Sequence, residues 1–374
     1  MKYLFFLSHP AHFHLFKHVI KKLQKKHEIK IVIKSKDVLS SLVENEGFDY
    51  INAQKKEKKA NGRYQILIKS IWGLLVRDFN LFKIAIRFKP NLMIGTEWAI
   101  VHVGKLLNIP SLIVNEDDTL ATPENKYFYP LATTLLLPDC CDQKLWGKKK
   151  ISYSGYHELA YLHPNHFAPN KDTLKKYGIE KQYSIIRLVK LNASHDAGKT
   201  GINRAIISKL IELLESVGQV IITSEKQIDG SFEKYRLSIS PIDMHHIMAF
   251  SNVFIGDSQT MAAEAGVLGI PFIRYNDFVG KIGYLNELEN EYRLGFGYKI
   301  YRAEDMLNKV KELVAIPKIK NEWVKRRNRM LLDKIDVAQF MSWFIENYPD
   351  SIQTMKENPN SQYQFKHKTS LNSS

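Results

Sequence analysis

A segment of the second half of the chain, GDSQTMAAEAGVLGIPFIRYND, contains residues well suited to bind an anion. Its polar start opens a helix of small residues, and the first N–H groups of a helix lack partners and carry partial positive charge. We therefore expect a phosphate group to bind at Asp257, Ser258, Gln259, Thr260 and Met261. The alternative is an ordinary N-cap at Asp257 or Ser258.

Glu264 lies one turn further into this helix, which is otherwise built from Met, Ala, Gly, Val and Leu. A carboxylate can accept two hydrogen bonds from vicinal hydroxyl groups such as those of a ribose. Glu264 is therefore a candidate for binding the sugar of a nucleotide. The alternative is a glutamate that faces solvent, and the spacing alone leaves both open.

Three histidines, His9, His12 and His14, follow the first predicted strand in the motif SHPAHFH. Histidine is the side chain best suited to accept a proton near neutral pH. We favour His12 as the reactive residue, because His14 can belong to the helix surface and His9 can order the turn. Zinc binding is disfavoured, since the sequence offers no second ligand cluster.

Two polar motifs follow predicted strands of the second half. NASHDAGKTG contains Asn192, His195 and Lys199, which can contact a diphosphate or its sugar, while its GKTG lacks the spacing of a P-loop. TSEK ends the next strand, where Ser224 and Glu225 can contact a base or a phosphate. A simple loop is the alternative for TSEK.

Acidic side chains follow two predicted strands of the first half. Glu97 ends the motif GTE, and Glu116 opens the acidic part of VNEDD. A carboxylate in such a position can bind or deprotonate a hydroxyl group. The alternative is that these acids cap helices.

Short apolar runs alternate with helical patterns along the chain, which is typical of parallel α/β units. The alternation restarts near residue 160, and Pro164 and Pro169 break regular structure at the joint. The sequence predicts an N-terminal domain at 1–160, a C-terminal domain at 161–334, a helix folding back on the body at 335–349 and a disordered tail at 350–374. The predicted strands are 3–7, 29–33, 92–94, 111–114, 134–137, 151–153, 185–189, 220–223, 253–255, 272–274 and 296–299.

One predicted helix, over 64–88, is unusually long and follows the basic run KKEKKANGR. Packing against the core is the favoured interpretation, and a membrane-surface helix is the alternative. The 374-residue chain carries a formal net charge of +15, which suits nucleic acid, an anionic membrane, phosphorylated small molecules or merely a solvated surface. It contains no helix-turn-helix, zinc spacing or aromatic–basic RNA motif, which argues against nucleic acid.

The two cysteines, Cys140 and Cys141, are adjacent and indicate reduced thiols of a cytosolic protein. The apolar run at the start of the chain is too short for a signal peptide and is followed by no cleavage site. No uncharged apolar stretch approaches the length of a bilayer-spanning helix. We therefore do not expect an integral membrane protein.

The spacing of Glu264, Gly269 and Pro271 resembles the nucleotide-sugar signature of GT-B glycosyltransferases. In the N-acetylglucosaminyltransferase that makes the peptidoglycan lipid precursor, a matching glutamate holds the ribose and the helix start holds the diphosphate. UDP-N-acetylglucosamine 2-epimerases share this layout. The whole chain most closely resembles a bacterial and archaeal family of unknown function related to these enzymes. The motifs that carry this resemblance are SHPAHFH, GTEWA, VNEDD, SGYHELAYLHP, NASHDAG, TSEK and GDSQTMAAEAGVLGIPFIR.

The resemblance implies an α/β protein of GT-B fold, with two Rossmann-like domains whose parallel sheets face each other across a cleft. It places Arg274, Asn276 and Asp277 where related transferases contact donor sugar hydroxyls, although Arg274 can instead pair with a diphosphate. The implied substrate is a nucleotide-diphosphate sugar, UDP-linked, with no metal and no separate cofactor. One departure is the lack of a glycine-rich loop after the first strand.

The implied activity is a metal-independent transfer of sugar to a saccharide or lipid-linked acceptor in cell-surface polysaccharide or glycolipid biosynthesis. His12, Glu97 or Glu116 would be the base, and the protein would work in the cytoplasm, in peripheral contact with an anionic membrane. A 2-epimerase or hydrolase is the second interpretation, because the epimerases carry acids at both strand ends and a histidine near His195. However, the acid here comes one position later, and an HRRE-like loop is missing. A non-catalytic nucleotide-sugar or nucleic-acid binding protein is the third.

Overall fold

The computed structural model describes residues 1–34, 37–54, 63–142, 144–189, 202–225 and 227–366, with only the backbone for residues 37 and 63–71. These residues divide into two compact units. Unit 1 consists of Met1–Thr119, Pro123–Tyr161 and Asp336–Phe365. Unit 2 consists of Leu120–Thr122, Leu162–Ile335 and Lys366. Within the described ranges, no helix has both the length and the apolar character needed to cross a membrane.

The strands form one parallel sheet in each unit. The strands of unit 1 are β1 (Lys2–Leu7), β2 (Glu28–Lys34), β3 (Tyr50–Gln54), β4 (Leu92–Gly95), β5 (Ser111–Val114), β6 (Thr134–Pro138) and β7 (Lys150–Tyr153). The strands of unit 2 are β8 (Tyr183–Leu188), β9 (Gln219–Ser224), β10 (Phe254–Gly256), β11 (Phe272–Tyr275) and β12 (Gly295–Tyr298).

The strand order gives each sheet a point where the winding of the chain reverses. In unit 1 the order is β3-β2-β1-β4-β5-β6-β7, which is the Rossmann order extended by one strand. In unit 2 the order is β12-β11-β10-β8-β9, which is the flavodoxin-like order. The reversals lie between β1 and β4 and between β8 and β10. Ligands of open α/β sheets bind beyond the carboxyl ends of the strands at such switch points.

Helices connect the strands and cover the sheets. They are α1 (Pro10–Leu23), α2 (Asp37–Asn45), α3 (Arg63–Phe88), α4 (Trp98–Leu107), α5 (Asn125–Phe128), α6 (Asp172–Lys176), α7 (Arg204–Glu215), α8 (Met244–Phe250), α9 (Gln259–Val267), α10 (Gly283–Asn290), α11 (Ala303–Val314), α12 (Ile319–Asp333), α13 (Val337–Glu346) and α14 (Asp350–Glu357). Short 3-10 helices cover Tyr129–Leu131, Gly147–Lys149, His157–Ala160, Gly230–Tyr235 and Pro359–Phe365.

The apolar pattern of the sequence explains the core of each unit. Parallel strands covered by helices on both faces read as continuous apolar runs, and Leu4 to Leu7 of β1 and Phe272 and Ile273 of β11 are all fully buried. In α1, the buried residues recur every three to four positions from Phe13 to Leu23, which turns one helix face towards the sheet.

The helix α9 packs closely because its residues are small. A Cβ atom on Gly266 would lie 2.8 Å from Cε1 of Phe272, so only glycine allows this approach to β11. The helix ends at Val267, and the chain turns away at Gly269, whose φ of +79° favours glycine. The N–H groups of Gly269 and Ile270 donate to the carbonyls of Gly266 and Ala265, which is the Schellman pattern.

Each predicted strand is present in the structure, although the sequence-based prediction missed the strand β3 and the helices α5, α6, α12 and α14. The strand β3 is partly exposed and has the mixed sequence YINAQ, which lacks a clear apolar pattern. The prediction of a disordered tail from residue 350 is wrong as far as residue 366. Helix α14 buries Ser351 and Met355, and Gln362 accepts a hydrogen bond from the N–H of Ser154 at 2.7 Å. Residues 367–374 lie outside the described residues.

Candidate functional site

In unit 2, the predicted phosphate-binding residues follow β10 at the switch point. Asp257 comes directly after this strand, and its Oδ1 accepts a hydrogen bond of 2.8 Å from the N–H of Val189, just beyond β8. Asp257 therefore links the ends of the two strands that flank the switch point. Its buried carboxylate has this structural role, and its predicted contact with a ligand stays a prediction.

The first turn of α9 begins with Ser258 as its N-cap. The Oγ atom of Ser258 accepts a hydrogen bond of 3.3 Å from the N–H of Met261. The residues from Ser258 to Met261, including Gln259 and Thr260, are all partly exposed. The start of α9 thus presents N–H groups at the carboxyl edge of the sheet, as an anion site requires.

Glu264 lies one turn deeper and is only 5 % exposed, which excludes the alternative that it faces solvent. Its Oε1 atom is 2.9 Å from Nε2 of His245, a buried residue of α8. The ring of Phe167 meets His245 edge-on, with 6.2 Å between the ring centroids. Because His245 holds one carboxylate oxygen, the orientation of Glu264 is fixed by the fold.

Arg274, at the end of β11, has no exposed surface. Its Nε and Nη2 atoms donate to the two carboxylate oxygens of Glu289 at 2.9 Å and 3.2 Å. Its Nη1 atom donates to Oε1 of Gln259 at 2.9 Å. We therefore revise the predicted role of Arg274. In this structure it positions Gln259 in the first turn of α9, and its planar fork is engaged by Glu289.

Asn276 and Asp277 follow β11. The Nδ2 atom of Asn276 donates to the carbonyl of Asp257 at 3.2 Å, and its Oδ1 atom accepts from the N–H of Phe278 at 2.9 Å. Asn276 therefore orders the two loops beyond β10 and β11. Asp277 is partly exposed beside it, so the predicted contact with a sugar hydroxyl stays a prediction for this residue.

Ser224 and Glu225 lie at the end of β9, beside β8. Glu225 is half-exposed, and its carboxylate accepts a hydrogen bond from the guanidinium of Arg187 on β8. Ser224 is partly exposed. These positions agree with an edge-of-sheet site, and a role in binding stays a prediction. Three further predicted site residues lie outside the described residues: Asn192, His195 and Lys199.

In unit 1, the switch point joins residues that follow β1 and β4. The Oγ1 atom of Thr96 lies 2.9 Å and 3.0 Å from the two ring nitrogens of His12. The Oγ atom of Ser8 lies 3.3 Å from Nδ1 of His12 and donates to Oε1 of Glu97. The hydroxyl group of Ser8 thus connects the imidazole of His12 to the carboxylate of Glu97, an arrangement through which a proton can move.

A buried arginine holds the other side of this network. Arg77 of α3 is 2 % exposed, and its Nη1 atom donates to Oε2 of Glu97 at 3.2 Å. Its Nε and Nη2 atoms donate to Oδ1 of Asp78, whose Oδ2 lies 2.8 Å from Nδ1 of His102. Burial alone would raise the pKa of Asp78, but His102 and Arg77 lower it. Glu97 precedes α4 without capping it, so its carboxylate is available to this network.

The other two histidines of SHPAHFH have local contacts. His9 is the N-cap of α1, and its Nδ1 atom accepts a hydrogen bond of 3.2 Å from the N–H of Ala11. His14 stacks on Tyr161 with 5.2 Å between ring centroids. Ordering of the turn is therefore the observed role of His9, and its predicted contact with a nucleotide sugar stays a prediction.

Glu116 is buried after β5, in an environment unlike that of Glu97. Its Oε2 atom accepts a hydrogen bond of 3.0 Å from the N–H of His157, and its Oε1 lies 3.5 Å from Nδ1 of the same residue. Burial and the nearby charge of Glu158 raise the pKa of Glu116 well above its usual value. Burial lowers the pKa of His157 to about 3. Burial therefore shifts the pKa of each group in the direction that favours its neutral form.

The sequence-based prediction missed several members of these networks: Ser8, Arg77, Thr96, His157, His245 and Glu289. One signal was available for Arg77, because it shares the buried helical stripe of α3 with Leu81 and Ala85. An arginine on the core face of an apolar helix needs a charged partner. Ser8 and Thr96 are themselves part of the motifs SHPAHFH and GTE. His245 and Glu289 offered no local signal.

Two α/β units, each with one parallel sheet, are typical of the GT-B fold, and solved structures of this fold are similar to the chain. The chain is similar to UDP-N-acetylglucosamine 2-epimerase from Rickettsia bellii (13 % identity, 96 % of this chain and 98 % of that chain, TM-score 0.63). It is similar to an S. aureus MnaA–UDP complex (12 % identity, 94 % and 98 %, TM-score 0.63). It is also similar to CalG4, the calicheamicin glycosyltransferase (9 % identity, 93 % and 99 %, TM-score 0.57).

The chain belongs to the family described as "Protein of unknown function (DUF354)", whose model matches residues 3–321. No curated protein matches the sequence. The family model confirms the predicted membership of a family of unknown function, and the solved structures confirm that the chain shares the fold of GT-B glycosyltransferases and UDP-N-acetylglucosamine 2-epimerases.

Proposed function

We propose that the protein is an enzyme that uses a nucleotide-diphosphate sugar as a glycosyl donor and transfers the sugar to a hydroxyl group of an acceptor. The observation that carries this proposal is the start of α9, where partly exposed residues precede the buried carboxylate of Glu264 by one helical turn. The N–H groups would bind the diphosphate and Glu264 the ribose. A UDP-linked donor fits the uridine nucleotides named for two similar structures.

The departing diphosphate would be stabilised by the N–H groups of α9, without a metal ion. Preorganised donors of this kind stabilise charge that develops in the transition state. Arg274 and Asn276 support this function indirectly, because they fix Gln259 and the loop after β10. In unit 1, His12 would accept the proton of the acceptor hydroxyl, and Ser8 would connect it to Glu97. A saccharide or lipid-linked acceptor of cell-surface polysaccharide or glycolipid synthesis is consistent with this chemistry.

A second candidate is epimerisation at carbon 2 of the donor sugar, or hydrolysis of the donor. The observation that favours it is the pair of acids after neighbouring strands, Glu97 after β4 and Glu116 after β5. Burial raises the pKa of Glu116, whereas Glu97 accepts a hydrogen bond from the guanidinium of Arg77. Two carboxyl groups in such different environments can divide the roles of acid and base.

Binding of UDP and UDP-N-acetylglucosamine, followed by thermal unfolding, tests the proposal. A ligand that binds the folded state raises the melting temperature by mass action. We expect a rise with the wild-type protein and a clearly smaller rise with Glu264→Gln, which keeps the shape of the side chain. The control Glu180→Gln removes an exposed carboxylate of the same unit and should respond as the wild type does. A full response of Glu264→Gln would contradict the proposed site.

Incubation with UDP-N-acetylglucosamine alone separates the two activities. A transferase leaves the donor largely intact until an acceptor is added. An epimerase or hydrolase changes it without an acceptor, and replacement of Glu116 by Gln should then abolish the change. A protein that binds the donor and never turns it over, with any acceptor, would be a binding protein, the third interpretation.

A further inference from the structure

Helix α3 carries exposed apolar side chains along one face. Trp72, Leu75, Phe79 and Ile86 are 67 %, 59 %, 56 % and 46 % exposed. They recur at spacings of three, four and seven residues, so they form one stripe. At the rise of an α-helix, the stripe from Trp72 to Ile86 is about 21 Å long. We call these four residues the exposed α3 face.

The opposite face of the same helix packs into unit 1. Leu81 and Ala85 have no exposed surface and belong to the apolar core with Phe88. Arg77 is on this buried side and reaches Glu97. The helix is therefore apolar on two sides, and the core accounts for only one of them. Single exposed apolar residues are ordinary, but a continuous stripe of large ones indicates an interaction surface.

Basic residues accompany the exposed α3 face. Lys83 stands within the stripe, with its Nζ atom 4.2 Å from the ring centroid of Phe79, and Arg87 and Lys89 are exposed at the end of the helix. In the sequence from residue 55 to 89 there are ten Lys or Arg residues and two acids, although residues 55–62 lie outside the described residues. One of these acids, Asp78, is engaged by Arg77 and His102.

We propose that the exposed α3 face docks on an anionic lipid membrane. A helix with tryptophan, phenylalanine and leucine on one side and adjoining cations can lie in the membrane interface. The apolar side chains would enter the boundary between headgroups and acyl chains, and Lys83 and Arg87 would meet the anionic headgroups. A second copy of the chain fits this surface less well. A twofold contact would oppose the same cations of both copies, and like charges across an interface disfavour association.

The proposal is independent of the proposed enzymatic activity. It concerns a face of α3 that points away from Arg77, so substitutions on this face leave the polar network of unit 1 intact. Docking would nevertheless hold that network at the membrane surface, where lipid-linked hydroxyl compounds are concentrated.

Sedimentation of the full-length protein with lipid vesicles tests the proposal. We expect binding to vesicles of phosphatidylglycerol and phosphatidylcholine in equal parts, and little binding to phosphatidylcholine alone. The double variant Leu75→Glu, Phe79→Glu should lower the apparent affinity by roughly tenfold or more. The variant Lys83→Glu should lower it by roughly fivefold, and added salt should weaken wild-type binding.

The matched control is Val324→Glu, Leu332→Glu, which places the same charges on two exposed apolar positions of α12. It should bind vesicles more strongly than the α3 double variant, and thermal unfolding should show that both variants are folded. Wild-type binding by the α3 double variant, or no binding by the wild type, would overturn the proposal. Equal binding to both kinds of vesicle would overturn its electrostatic part. A wild-type dimer that becomes monomeric in the α3 double variant, without vesicle binding, would assign the face to a second copy.

Discussion

Each switch point lies beside the first strand of its unit, β1 in unit 1 and β8 in unit 2, yet the residues at the two points suit different chemistry. In unit 2, the start of α9 offers backbone N–H groups, and nearby polar side chains such as Arg274 and Asn276 are engaged in holding loops. In unit 1, side chains themselves form the network, with the hydroxyl group of Ser8 between His12 and Glu97. Fixed dipoles suit the binding of an anion, whereas imidazole, hydroxyl and carboxylate groups suit the transfer of a proton.

A shared α/β architecture therefore positions the loops after the strands but does not determine the chemistry of their residues. In unit 2, the buried ion pair of Arg274 with Glu289 fixes the site. In unit 1, burial and nearby charges shift the pKa values of Asp78, Glu116 and His157. Rigidity in unit 2 and titration in unit 1 can therefore be perturbed separately, which gives three predictions about stability.

The largest effect is expected for Arg274→Met. The change leaves Glu289, whose side chain is only 8 % exposed, without its partner. Removal of one member of a buried ion pair costs about 3–5 kcal/mol, so the free energy of unfolding should fall by that order in urea. The control Arg302→Met breaks an exposed pair with Asp305 and should cause no measurable change. If Arg274→Met is as stable as this control, the ion pair of Arg274 with Glu289 does not stabilise unit 2.

The next effect concerns His157 in unit 1. Its pKa is lowered from 6.5 to about 3 by burial, so between these values the unfolded chain binds a proton that the folded protein excludes. The free energy of unfolding should therefore fall as the pH drops below about 6.5, by up to about 1.4 kcal/mol per pH unit. His157→Gln should flatten this dependence in urea titrations at several pH values.

Glu116→Gln provides the opposite control for the pH prediction. Because the pKa of Glu116 is raised in the folded state, its ionisation removes stability as the pH increases through the folded pKa. Glu116→Gln should therefore remove a loss of stability that begins as the pH rises above 4.5, the ordinary pKa of the group. Unchanged pH dependence in both variants would contradict the assignment of titration to unit 1.

A smaller effect is expected for Gly266→Ala in α9. Alanine favours helices, but the added Cβ would lie 2.8 Å from Cε1 of Phe272. Overpacking should outweigh the helix preference, with a net loss of about 1–2 kcal/mol in the free energy of unfolding. Gly230→Ala is the matched control, because its Cβ would meet no atom within 4 Å. A stabilised Gly266→Ala variant would show that α9 can move from β11.

The sequence was sufficient for the fold because the information is local. Apolar runs and helical spacing identify the strands from β1 to β12 except β3, whose YINAQ sequence is mixed and partly exposed. The spacing of Glu264 left its burial open, and only the structure shows that it is 5 % exposed. The ordered tail could not be predicted, because Gln362 depends on a hydrogen bond to Ser154, 208 positions away.

The partners of the candidate site residues could not be predicted either, because they also lie far away in the sequence. The resemblance assigned Arg274 to a ligand, whereas its observed acceptor, Glu289, lies on α10, 15 positions away, and no adjacent residue indicates this pairing. His245 meets Glu264 across 19 positions, and nothing in the sequence of α8 marks that contact. Pairings between elements depend on how the chain packs, whereas strand ends and helix starts depend on the adjacent residues.

The most direct measurement of the central claim compares calorimetric binding of uridine diphosphate and its 2′-deoxy analogue to the wild type and to Glu264→Gln. A hydrogen bond to a charged group contributes about 1.5–3 kcal/mol, so the wild type should bind the deoxy analogue at least roughly tenfold more weakly. Glu264→Gln should discriminate between the two ligands less than the wild type does, because a neutral amide oxygen makes a weaker hydrogen bond than a carboxylate. Undiminished discrimination by Glu264→Gln, or equal wild-type affinity for both ligands, would contradict the account.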